Sequence, residues 1–351
     1  MKIFRILTLF SIILLQNCVI YLSHLAGEQV DQFKKRERID KVIANDSASP
    51  EEISKLRFIQ DVKKFGIEHL ALSEDSGFEY YVKLDRDSVG WNVSASYPLE
   101  FRSYTWWFPI AGEVPYKGYF DNKLALEEEK SLKHKGLDTR IRITGGYSTL
   151  GWFSDPVFSP QLQAQLPELA GLVFHEMTHA TVYIPGDPVF NESYASFVET
   201  KGVELYYTNK DLTKDLISWK DRKDKKMKSI QLIRSTAEVL KKIYESDRSD
   251  MEKLKLKANA ISEFKVSAIK KGFVSKENID KFTKKDWNNE DFIGALRYQS
   301  GNTFFERVFQ EAGGDFLKFH NLVKKYEKLS KEERKQILKD YNQVKSSTTV
   351  E

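Results

Sequence analysis

Two histidines four residues apart, in His175-Glu176-Met177-Thr178-His179, are the residues of this chain best spaced to do chemistry. On a helix, positions i and i+4 share a face with Cβ atoms about 5–6 Å apart, so both imidazoles can reach one tetrahedral zinc ion. Glu176 then projects beside the open position of that ion. A second acidic residue follows a sharp break. Tyr183-Ile184-Pro185-Gly186-Asp187-Pro188 ends the helix, and Asn191-Glu192-Ser193-Tyr194-Ala195-Ser196-Phe197 opens another, with Glu192 in its first turn. A third ligand returning on a second helix completes the three-protein-ligand set that leaves zinc one position for water. Taken singly, the histidines are satisfied core residues and Glu192 is a charge at a helix N-terminus, worth about 0.3–1 kcal/mol. Together they point to metal-assisted hydrolysis, with zinc lowering the pKa of a water to about 7 and Glu176 moving its proton.

The elements that must hold these side chains are legible around them. Pro167 suits the first turn of a helix, and Leu169, Leu172, Val173 and Phe174 give that helix a broad apolar face. Upstream, residues 28–72 carry apolar residues three or four apart, among them Ile53, Leu56, Ile59, Val62 and Phe65, which predicts two helices. From Phe78 to about Phe120 strand formers dominate, and a small antiparallel sheet is expected there. A helix from about Asn122 to His134 follows, then a half-exposed strand over Thr139 to Thr144, ended by Gly145 and Gly146. Beyond Leu212 the stripes Ile230, Leu232, Ile233, Ala237 and Leu240, then Phe304, Phe305, Val308 and Phe309, then Phe316, Phe319, Leu322 and Val323, predict several packed helices.

With 351 residues, 41% of them apolar and 13% aromatic, the chain can bury a large core. A net charge of +4, with lysines interleaved among acids, implies no nucleic-acid partner. The basic cluster Lys220 to Lys228 reads as a solvated helix face, or else as a patch favouring an anionic membrane surface. The single cysteine, Cys18, excludes an internal disulfide and a cysteine-rich zinc site. Met1, Lys2 and Arg5 precede an apolar run from Ile6 to Leu15, the pattern of an export signal. Leu15-Gln16-Asn17-Cys18 then looks like a relaxed bacterial lipobox, which would make Cys18 a lipidation site. An uncleaved anchor helix over Ile3 to Leu25 is one alternative and ordinary secretion or a meaningless apolar start another; as a lipoprotein or an anchored protein the chain is expected at the cell envelope, facing out of the cytoplasm. No linker or repeat divides the rest. Residues 1–27 read as signal or anchor, 28–210 as the catalytic region and 211–351 as a helical continuation of the same unit.

His175-Glu176-x-x-His179 followed by Asn191-Glu192-Ser193-Tyr194-Ala195 is similar to the gluzincin metallopeptidases, whose aminopeptidase branch carries the third zinc ligand in an Asn-Glu-Gly-Phe-Ala element. More closely, the chain resembles a bacterial family of predicted zinc aminopeptidases that are often lipoproteins. That likeness extends over Trp107-Phe108-Pro109-Ile110, Val114 to Phe120, Tyr147 to Pro156 and Glu311-Ala312-Gly313-Gly314-Asp315. The resemblance implies an α+β, mostly helical, zincin-like metallopeptidase with a small mixed or antiparallel sheet and a helical C-terminal part. It also implies one zinc ion and peptide substrates trimmed from the N-terminus. Two departures stand out. Only twelve residues separate His179 from Glu192, fewer than the usual gluzincin connection, and Ser196 stands where the thermolysin kind places an aspartate that orients a histidine. Glu199, two turns beyond Glu192 on nearly the same face, is the substitute candidate for orienting a histidine, against an ordinary surface carboxylate.

Related aminopeptidases use a tyrosine on a later helix to donate to the oxyanion. Tyr298 is the candidate for that role, with a packed core tyrosine as the bland reading and Arg297 in reserve. Tyr147, Ser148 and Gly151 lie in a segment, Gly145 to Trp152, that reads either as an edge strand contacting substrate or as an ordinary buried strand. Glu113 and Asp155 are the carboxylates available to hold a substrate ammonium. Two alternatives stay open to the aminopeptidase: an endopeptidase, and an inactive envelope lipoprotein using the fold as a binding module.

Overall fold

We describe a computed structural model of the chain over residues 25–108, 112–144, 156–297 and 302–347, together with Tyr21 and Ser23. The expected lipidation site Cys18 lies outside the described residues. None of the described helices is long and apolar enough to cross a membrane.

The N-terminal part contains three helices where the spacing predicts two: α1 (residues 25–35), α2 (Ile39–Ala44) and α3 (Pro50–Leu70). What separates the last two is local chemistry. Ser49 accepts from the Glu52 amide while the Glu52 carboxylate accepts from the Ser49 amide, a reciprocal cap with Pro50 in the first turn. Ile53, Leu56, Ile59, Val62 and Phe65 of α3 are buried at the predicted spacing. Between α1 and α2 a two-residue strand, β1 (Glu37–Arg38), pairs antiparallel with β2 (Tyr80–Val82).

Among the described residues the β-region divides into three small sheets rather than one. β2 pairs parallel with β8 (Val157–Phe158), which makes the first sheet mixed. The second is antiparallel, with β3 (Gly90–Ser96) between β6 (Tyr116–Tyr119) and β7 (Asp138–Thr144). The third is the hairpin of β4 (Trp106–Phe108) and β5 (Gly112–Val114). Burial accounts for the division. Tyr81, Val157 and Leu56 belong to the main core, whereas Val93, Ala95 and Tyr119 pack against Ala125 and Leu132 of α4 (Asn122–His134). Both α4 and the half-exposed β7 fall where the pattern places them.

The remaining helices are α5 (Leu166–Thr181), α6 (Pro188–Asn209), α7 (Thr213–Tyr244), α8 (Asp250–Lys270), α9 (Ile279–Lys284), α10 (Asn289–Arg297), α11 (Asn302–Glu311), α12 (Phe316–Lys325) and α13 (Lys331–Ser347). Between α11 and α12, Gly313 and Gly314 both adopt left-handed backbone (φ 68° and 74°), which reverses the chain before Asp315 caps α12 through the Lys318 amide. The main core gathers α2, α3, α5 and α6 with Phe305 of α11, Phe319 of α12 and Leu338 of α13. Residues from both sides of position 210 therefore share one apolar centre. A second cluster joins Leu240 of α7, Phe264 of α8 and Phe292 of α10. The fold is α+β and mostly helical, with only small sheets.

Candidate metal centre

Helices α5 and α6 are antiparallel neighbours joined by the turn over Val182–Asp187, and two glycines let their backbones approach. At Gly202 of α6 an added Cβ would lie 2.7 Å from Phe174 Cδ2 and 2.8 Å from Leu70 Cδ1, so no larger residue fits without movement. At Gly171 of α5 it would meet Glu199 Cγ at 3.2 Å. Leu169, Ala170, Val173, Phe174 and Met177 bury one side of α5. His175, Glu176 and His179 are left on the partly exposed side, as the helical period requires.

The turn is tied down by α6 itself. Asp187 caps the helix by accepting from the Phe190 amide, and Pro188 occupies the first helical position. Glu192 consequently lies in the second turn rather than the first, because Pro188 begins the helix instead of merely breaking the previous one. Asn191, buried to 1%, accepts from the Ile184 amide at 2.9 Å and donates to the Ile184 carbonyl at 2.8 Å. That two-way bond stands in for a backbone pairing and fixes where Glu192, the next residue, emerges. Asp187 also accepts from Arg334 Nε of α13 at 2.7 Å, in a pair buried on both sides.

Three side chains then converge. The His175 and His179 Nε2 atoms are 3.2 Å apart, Glu192 Oε2 lies 3.3 Å from His175 Nε2, and Glu192 Oε1 lies 3.3 Å from His179 Nε2. In a tetrahedron the ligand–ligand edge is about 1.63 times the metal–ligand distance, so zinc bonds of 2.0–2.1 Å require edges of about 3.3–3.4 Å. The nitrogen–nitrogen distance and the two nitrogen–oxygen distances are close to that length, the oxygens being the two different atoms of the Glu192 carboxylate. His175, His179 and Glu192 could thus hold a metal ion. The imidazoles are under one-fifth exposed, whereas the Glu192 side chain is 63% exposed, so the centre opens to solvent on the α6 side.

Electrostatics agree with a cationic occupant. Burial pulls His175 toward its neutral form, but bonds to Glu192 and Glu199 and the charge of Glu176 outweigh it and push its pKa up to about 10. The bonds from His175 and His179 hold Glu192 far below the usual carboxylate range. In the metal-free protein a proton therefore stands in for the missing positive charge.

Around the triangle, Glu176 sits on α5 with its charge acting on His175. The Glu199 carboxylate reaches the other nitrogen of the same ring, Oε2 lying 3.3 Å from His175 Nδ1. His179 Nδ1 is buried and meets no partner among the described residues. Glu113 stands in the β4–β5 hairpin, where it accepts from Thr105 Oγ1 at 3.4 Å, and Arg297 ends α10. Tyr147, Ser148, Gly151, Asp155 and Tyr298 all lie outside the described residues.

Several supporting residues escaped the sequence reading. Tyr194 donates to His320 Nδ1 at 2.6 Å, and His320 Nε2 donates to the Leu70 carbonyl at 2.8 Å, a buried link from α6 through α12 to the end of α3. Nothing local announces such partners. Asn191 and Gly202 carried faint signals, an amide beside the acid after a sharp turn and a glycine on an apolar helix face.

No curated protein and no solved structure matches the chain. One family model does, over residues 20–338, and on that span, which takes in every element from α2 to Arg334 of α13, the chain belongs to the family described as "Putative aminopeptidase".

Proposed function

We propose that this chain is a zinc-dependent aminopeptidase of the gluzincin kind, removing N-terminal residues from peptides at the cell envelope. The observation that carries the reading is the convergence of three side chains on one point: the two Nε2 atoms are 3.2 Å apart, and the Glu192 carboxylate sets one oxygen 3.3 Å from His175 Nε2 and the other 3.3 Å from His179 Nε2, a spacing that suits a small cation. Bound there, zinc would lower the pKa of a coordinated water to about 7 and polarise the scissile carbonyl. His175, His179 and Glu192 would hold the ion, and Glu199, accepting from His175 Nδ1, would leave the Nε2 lone pair free for it. Glu176 takes the proton of the attacking water and returns it to the departing amine. Tyr298 is the proposed donor to the oxyanion, and the segment containing Tyr147, Ser148 and Gly151 the proposed peptide contact. Family membership supports peptide hydrolysis. Envelope location and lipidation at Cys18 rest on the N-terminal sequence.

The test is hydrolysis of aminoacyl reporter substrates and their N-acetylated forms, with zinc content measured in parallel. Glu176→Gln is expected to keep the metal and lose about 10²–10⁴-fold in kcat. Equal rates in the variant and the wild type would remove the mechanism. Cleavage indifferent to acetylation would make the protein an endopeptidase.

A further inference from the structure

Glu199 is held at both ends. While Oε2 faces His175 Nδ1, Oε1 lies 3.5 Å from Nζ of Lys223, which reaches across from α7. The ammonium is itself fixed by two contacts that involve no metal ligand: it donates to Thr200 Oγ1 at 2.5 Å and lies 4.7 Å from the centre of the Trp219 ring, whose residue is 4% exposed. Beneath the carboxylate runs Gly171, whose missing side chain leaves the slot that the Glu199 stem fills. The Glu199 side chain keeps only 28% of its exposure and that of Lys223 30%.

A carboxylate that orients an imidazole must present one oxygen in the plane of the ring, and rotation about its last bond would carry that oxygen away. An anchor on the second oxygen prevents the rotation. We propose that Lys223 is a positioning residue of the metal centre: by binding Glu199 Oε1 it aims Oε2 at His175 Nδ1, and so directs the Nε2 lone pair at the ion. The inference rests on the zinc reading given above. It separates Lys223 from its neighbours in the basic cluster. Lys220, Arg222 and Lys228 pair with Glu204, Glu168 and Asp224, none of which touches a ligand.

The test uses the full chain and reads zinc affinity by chelator competition, with the visible spectrum of the cobalt-substituted protein as a report on ligand geometry. Replacing the direct partner, Glu199→Gln, is expected to weaken zinc about 10–100-fold, the usual cost of losing an outer partner of a metal-bound histidine. Lys223→Met acts one step further out, so a loss of about 3–10-fold with an altered cobalt spectrum is expected. The decisive comparison is the double variant: combined with Glu199→Gln, Lys223→Met should weaken zinc less than about twofold further. Unchanged affinity in Lys223→Met overturns the proposal. So does an equal loss with and without Glu199, which would mark Lys223 as a plain tie between α6 and α7. A wild-type chain that takes up no zinc overturns the metal reading itself and this inference with it, a result distinct from the other two.

Discussion

Replacing Gly202 by alanine tests whether helix packing sets the metal geometry. The added Cβ would sit 2.7 Å from Phe174 Cδ2 and 2.8 Å from Leu70 Cδ1, both in fully buried residues. Ordinary carbon contact begins near 3.5 Å, so one side must retreat by about 0.8 Å. Overpacking of this kind costs about 1–3 kcal/mol, and two contacts below 3.0 Å put this site at the upper end. Alanine returns about 1 kcal/mol of helix propensity, which leaves a net loss of about 2 kcal/mol. Phe174 immediately precedes His175, so its retreat carries the ligand, and ligand positions tolerate only about 0.2 Å. If about 1–2 kcal/mol of the strain is relieved by displacing α5, the zinc dissociation constant rises about 5–30-fold. The assay is chemical denaturation together with zinc competition. Gly294→Ala in α10 is the matched control, since an added Cβ there meets nothing within 4 Å and helix propensity alone should stabilise by about 0.5–1 kcal/mol. A Gly202→Ala protein as stable as the wild type, with unchanged zinc affinity, would refute the claim that the α5–α6 contact holds the triangle.

Tyr194→Phe removes the donor to buried His320 and should cost about 1–3 kcal/mol in denaturation while leaving zinc affinity unchanged; a large loss of affinity would show that Tyr194 acts on the centre directly. Arg334→Met strands the buried Asp187 carboxylate, and a loss of about 3–5 kcal/mol is expected by denaturant titration, a change below about 1 kcal/mol refuting the pairing. His175, raised from 6.5 to about 10, stabilises the metal-free fold fully below pH 6.5 and loses that contribution as pH rises through about 10. Glu192, depressed from 4.5, stabilises above pH 4.5 and loses its contribution as pH falls, so this pair contributes fully to the metal-free fold only near pH 5–6.5. At pH 7.5 zinc must therefore displace the His175 proton, and calorimetry in buffers of different ionisation enthalpy should count about one proton released per ion, whereas no buffer dependence would refute the assignment.

The sequence exposes what is periodic or local and conceals what is distant. α4 was legible because its alternation of apolar and charged residues is strong and Asp121 caps it, the Lys123 amide donating to its carboxylate. His175, His179 and Glu192 could be grouped from the sequence because a candidate site built on two consecutive helices keeps its residues within one short stretch. Helical spacing from Glu192 made Glu199 a candidate partner of a histidine, against an ordinary surface carboxylate, and its contact with His175 Nδ1 appears only in the structure. By contrast, Pro188 reads equally as a stop and as a start, and only the Asp187 cap decides for the start, moving Glu192 one turn inward. The three sheets could not be told from one because pairing depends on which side each strand buries. In the basic cluster Lys220 to Lys228, the acids beside these residues in sequence were the obvious partners, yet Lys220, Arg222 and Lys223 reach to α5 and α6, whereas Lys228 pairs with Asp224 of its own helix. Tyr194–His320 and Asp187–Arg334 join positions more than a hundred residues apart, where no local pattern reports the partner.

The bond between Asp187 and Arg334 bears on how the chain matures. The ligands are synthesised close together, but the turn that spaces them carries an uncompensated buried acid until α13 has emerged and docked, and Phe190 and Tyr194 lack their cover until α11 and α12 arrive. A fragment cut after α6 would keep His175, His179 and Glu192 and still lack a folded frame to hold them together. Uptake of the proposed ion is thus expected to wait until α13 has docked, and removal of that helix is expected to abolish it from a distance.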